Sequence, residues 1–155
     1  FSNTVVLCIT MVVPLVTDVG TTPIWGWAYD KFNLAYIRIL ACIFFLFGLF
    51  LFFQSEGLPA LCFASALIGT GAGGGTMVWT LWVTRIAPKG RESSYMSVHL
   101  FFSGMRGLPA PFLGYWILTS LGPSGVSWAS ASLIILSCLI FLKLASDERL
   151  QLGNS

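Results

Sequence analysis

The chain has 155 residues, 56% of them hydrophobic and only 9% charged, with a formal net charge of +2 and a mean hydropathy of +0.85. Soluble domains carry about 25% charged residues, so the composition argues against a soluble enzyme, and no basic patch points to nucleic acid. Cys8, Cys42, Cys62 and Cys138 stand singly in apolar runs, without the spacing of a zinc or disulfide framework.

A helix needs about 20 apolar residues to cross the hydrocarbon core of a bilayer, and five stretches qualify. The first covers 4–28, interrupted by Pro14, Asp18 and Pro23. The second, 34–53, is almost pure Leu, Ile, Phe and Ala and has no polar face after Arg38. The third, 58–84, carries a glycine cluster at its centre. The fourth covers 94–119 and the fifth 126–145, followed by a polar tail, 146–155. The runs are too long for barrel strands and do not alternate. The expected fold is all-α: one polytopic transmembrane bundle of about five helices over 1–155. The chain opens at Phe1 without the charged region of a signal peptide and reads as a fragment or an excerpt.

Loop charge predicts the orientation. Lys31, Arg38, Arg85, Lys89, Arg91, Lys143 and Arg149 all fall on one side, whereas the other side holds Glu56 and no basic residue. The basic side is expected to be cytoplasmic, with the N-terminus outside and the C-terminus inside. Trp25, Trp27, Tyr29, Tyr36, Trp79, Trp82 and Tyr95 fall near inner helix ends, and Tyr115, Trp116 and Trp128 near outer ends. That is the pattern of headgroup-level aromatic belts. The compact loops suit a bacterial inner membrane.

The first inner loop holds Gly26, Asp30, Lys31 and Asn33. Gly26 suits close helix approach, Asp30 can cap the next helix, and Lys31 supplies inside positive charge. This loop resembles the G-x-x-x-D-[RK]-x-G motif of the major facilitator superfamily of secondary transporters, with Asn33 in place of the second glycine. The cluster Gly69, Gly71, Gly73, Gly74, Gly75 and the loop 87–91 resemble that family's fourth or tenth helix and its basic loop. The Gly/Pro-rich 106–114 is similar to its fifth or eleventh helix. Ser65 stands where the fourth helix often has arginine, and a polar tail follows the last span. Both features favour helices eight to twelve of the C-terminal half, one span short of the six in such a half.

Ionisable residues inside the spans form the candidate path. Asp18 lies 12 residues before Asp30, ~18 Å along a helix, and Arg106 is placed at similar depth. Such groups cost about 2.5–3.5 kcal/mol to insert and should face protein or water. His99, Ser103 and Arg106 share one helix face, and Thr22 is one turn from Asp18. The resemblance implies a secondary transporter of a small solute, working by alternating access and coupled to protons if Asp18 is the carrier. Its partners would be the bilayer, the solute and the remaining helices. No cofactor or metal site is expected. A membrane scaffold is the rival reading. An intramembrane enzyme has little support, with one histidine and no paired carboxylates.

Overall fold

The structure, a computed structural model, describes residues 2–145, with the side chains of 84–86 and 144 excepted. The predicted tail, 146–155, and Arg149 lie outside the described residues, as does the side chain of Arg85. The described chain is helical apart from short loops and turns, with no strand among the described residues.

Helix α1 spans Asn3–Lys31 and includes a π-helical turn, Cys8–Val12, just before Pro14. Proline supplies no N–H to the turn before it and crowds that turn's carbonyl; a widened turn there relieves the mismatch. Helix α2 (Leu34–Gln54) starts at Asn33, whose side chain accepts from the Ala35 N–H at 2.9 Å. Helix α3 (Leu58–Ile86) starts with Pro59 in its first turn, where a missing N–H costs nothing. The 87–91 loop turns on Gly90, at φ 84°, and is closed by Arg91 N–H to Pro88 C=O at 3.0 Å. This is the third position of a turn that requires positive φ. Helix α4 (Glu92–Gly107) gives way at Leu108–Pro109 to α5 (Ala110–Leu144).

Among the described residues, four helical stretches are each long and apolar enough to cross a membrane: Asn3–Lys31, Leu34–Gln54, Leu58–Val83 and Glu92–Lys143. The last has 52 residues, or about 78 Å at 1.5 Å per residue, against a core of about 30 Å. It is broken at Gly122 (φ 71°, ψ −174°), a conformation open to glycine, and Pro123 starts the second arm of α5. The break falls between the fourth and fifth stretches expected from sequence.

Helix α3 is the hub, with α1 on one face and α2 on another. It runs parallel to α1 and antiparallel to α2, and the second arm of α5 lies antiparallel along α2. Asn33 Nδ2 donates to the Ala145 carbonyl at 3.2 Å, and Phe50 meets Trp128 edge-on at 5.4 Å. The buried cluster joins Trp25, Tyr29, Leu34, Ala35, Ile37, Ala41 and Val78. Helix α4 buries none of its described residues, and Leu108, Phe112 and Trp116 are widely exposed. Apolar surface on this scale suits lipid or further helices, not water.

Candidate functional site

The glycine cluster serves two neighbours at once. On the α1 side, a Cβ at Gly69 would overlap Thr17 Oγ1 and the Pro14 carbonyl. One turn on, a Cβ at Gly73 would stand 2.8 Å from Asp18 Oδ1, and one at Gly74 2.6 Å from the Trp25 indole. On the α2 side, a Cβ at Gly71 would stand 2.8 Å from Phe45 N and 2.9 Å from Ala41 O. Backbone can approach this closely only where side chains are absent. Gly75 faces Arg38 Nη1 at a looser 3.4 Å, and Gly26 at its 3.7 Å from Met77 leaves ordinary room for a methyl group. Gly26 is therefore not where the helices are forced together.

Asp18 is half-buried against Gly73. Around it, Thr22 Oγ1 donates to the Asp18 carbonyl at 2.8 Å, Thr21 Oγ1 to the Thr17 carbonyl at 2.7 Å, and Thr17 Oγ1 to Val13 and Pro14 carbonyls at 3.0 Å. These hydroxyls are bound to their own helix, the usual fate of threonine in apolar surroundings.

On a different face of α3, Trp79 gathers the polar stripe of α4. The His99 ring lies 4.2 Å from the Trp79 ring and 5.6 Å from that of Trp82. Ser103 Oγ donates to the His99 carbonyl at 2.7 Å, and Arg106 Cζ stands 4.5 Å from the Trp79 centroid. Side chains lean toward the start of their own helix, so Arg106 extends back along α4 and brings its charge to the level of His99. That level is seven residues from the end of α3, ~10 Å, shallower than the depth of the Arg106 backbone suggests.

Arg38 reaches the same indole from α2. Its Cζ lies 5.8 Å from the Trp79 centroid and 5.8 Å from that of Phe141, and Nη1 donates to the Gly75 carbonyl at 3.4 Å. Arg38 and Arg106 line one cavity of about 490 Å³ between α2, α3, α4 and α5. Sequence reasoning assigned Arg38 to loop charge and Trp79 to an interfacial belt, and missed both as site residues. The available signal was their position: Arg38 sits a full turn inside a helix, and Trp79 is four residues from Gly75.

Several other expectations are corrected. Trp25 and Tyr29 are core, at 5% and 9% exposure, not headgroup anchors. Trp25 Nε1 donates to the Thr70 carbonyl at 2.9 Å and Tyr29 Oη to the Leu81 carbonyl at 3.2 Å, so the polar edge of each ring is satisfied by α3 backbone. Trp82 likewise turns inward to His99, and its Nε1 is buried. Asp30 is exposed and does not cap α2; Asn33 does, at φ −61° and without a left-handed turn. Lys31 Nζ lies 4.7 Å over the Trp27 ring. Asp18 packs at Gly73 and Arg106 at Trp79, in keeping with their placement on different sides of the bundle.

Searches of curated proteins and of solved structures returned no match. The family model of the Major Facilitator Superfamily matches residues 4–155. With that match spanning nearly every residue, and with helices long enough to cross a bilayer, the chain is an integral membrane protein belonging to the Major Facilitator Superfamily.

Proposed function

We propose that this chain forms helices eight to twelve of a secondary transporter that moves a small solute by alternating access. Members of the superfamily are membrane transporters. In the mechanism proposed, two bundles rock about a site near the midplane. The bundle described here supplies one wall, and helices outside the chain supply the other. In this reading the N-terminus is outside and the C-terminus in the cytoplasm of a bacterial inner membrane, an orientation that the basic loops support.

The observation that supports this reading is the open cavity lined by Arg38 and Arg106 within spanning helices. Charge at such positions is costly unless it serves a path or a partner. The glycine faces of α3 let that helix pack closely against both α1 and α2 beside the cavity. Asp18, backed by Gly73, is the proton carrier if the solute moves with protons. Thr22, His99 and Ser103 then border the path.

A membrane scaffold built from the same bundle is the second reading, favoured by the threonines and Ser103 being bound to their own helix backbones. Cysteines placed singly at 18, 103 and 106 in the full transporter, with native cysteines replaced, separate the two. The transporter reading expects modification by a water-soluble thiol reagent at these positions. Complete protection at all three would favour the scaffold.

A further inference from the structure

Two guanidiniums share the cavity between α2, α3, α4 and α5, and none of the described lining residues is acidic. Arg38 spends one donor on the Gly75 carbonyl, at a long 3.4 Å. Arg106 makes no hydrogen bond within the described residues and is held only by stacking on Trp79. A guanidinium carries five N–H donors, so most donors of this pair are left without a protein acceptor. Two like charges facing one apolar-walled space are unfavourable until an anion arrives.

We propose that this cavity binds a small organic monoanion with an apolar body. The carboxylate sits between Arg38 and Arg106, and the body lies against Trp79, Phe45, Leu133 and Ile134. Three features support the assignment. Cation–π contact with one indole, at 4.5 Å for Arg106 and 5.8 Å for Arg38, helps hold both guanidiniums in place, which lowers the ordering cost of binding. The volume of about 490 Å³ lies within the range of small-molecule sites. The remaining wall is mostly aliphatic and aromatic, with Thr76 and Ser137 as the hydroxyl-bearing exceptions. A strongly hydrated dianion such as inorganic phosphate would lose more water than this wall returns, whereas a carboxylate on an apolar frame satisfies both halves of the site.

The inference rests on the transport reading of this cavity but concerns equilibrium binding, which succeeds or fails separately from the two-sided thiol accessibility that tests transport. The experiment uses the full-length transporter in phosphatidylcholine nanodiscs, with 4-fluorobenzoate as probe followed by fluorine NMR. Saturable binding is expected, at least about tenfold tighter than that of the neutral isostere 4-fluorobenzamide. Arg106→Gln and Arg38→Gln should each weaken it by about tenfold or more, the range of a lost charged hydrogen bond. Lys89→Gln, in the exposed loop, should leave it unchanged. Ala72→Phe, which fills the cavity and keeps both arginines, should also abolish binding, so the result does not hang on the fold of one variant. Equal binding of acid and amide, or unchanged binding in Arg106→Gln and Ala72→Phe, overturns the proposal. So does absence of saturable acid binding in phosphatidylcholine. Displacement of the acid by phosphatidylglycerol at lipid mole fractions typical of membranes also overturns it, because the cavity is then a lipid-headgroup site.

Discussion

Arg38 and Arg106 converge on one indole from two helices, at 5.8 and 4.5 Å from the centroid of Trp79. Helix α3, which carries Trp79, thereby links α2 to the otherwise loosely packed α4. Removing the ring should loosen this link. Trp79→Leu keeps apolar bulk but deletes both cation–π contacts, each worth about 0.5–2 kcal/mol. The expected outcome is a loss of about 1–3 kcal/mol in unfolding of the detergent-solubilised protein. No change relative to Trp27→Leu, at an exposed position, would contradict the contact.

The glycines of α3 should differ sharply in what they tolerate. Gly71→Ala places a methyl 2.8 Å from the Phe45 backbone nitrogen, which cannot rotate away. It should cost about 1–3 kcal/mol by overpacking. Gly26→Ala and Gly20→Ala meet 3.7 Å and open space respectively. Replacing glycine inside a helix there should be neutral or stabilise by up to about 1 kcal/mol. Thermal unfolding of the three variants in one detergent checks the ranking.

Asn33 holds two helix ends together, accepting from Ala35 N–H and donating to the Ala145 carbonyl. Asn33→Ala should lose about 1–2 kcal/mol, the range of a deleted N-cap, whereas Asp30→Ala should lose almost nothing. Equal losses in the two variants would restore Asp30 as the cap.

Cys42 and Cys138 are neighbours across the α2–α5 contact. Mild oxidation of the full transporter should therefore join these two cysteines, leaving Cys8 and Cys62 free. Mass spectrometry of the digested protein reads the linkage. A Cys8- or Cys62-containing bridge formed in preference would contradict the α2–α5 pairing.

Helix positions and loops were legible because the bilayer imposes length and apolarity on the chain itself. Rotation of each helix about its axis was not. Trp25 and Trp27 are two residues apart and look alike as belt aromatics, yet one is buried at 5% and the other exposed at 54%. Only the place of α3 decides between them. In lipid both faces of a helix can be apolar, so the periodicity that reveals a buried face in water is erased. The glycine spacing was a partial substitute: Gly69 and Gly73 mark one face, Gly71 and Gly75 another. The stripe of His99, Ser103 and Arg106 was legible because charge is rare in a span. Its partner Trp79, and the second arginine on the same ring, were not, because no rule of spacing joins α2 to α4.

The central claim is that the arginine-lined cavity belongs to a path that opens alternately to the two sides of the membrane. Arg106→Cys, in a full-length transporter with native cysteines replaced, tests it directly. An impermeant thiol reagent is applied to oriented vesicles from the inside and, separately, from the outside. The account predicts modification from both sides, while Met105→Cys, on the widely exposed neighbouring position, stays protected within lipid. Modification of position 106 from neither side, or from one side only under every condition, would contradict it.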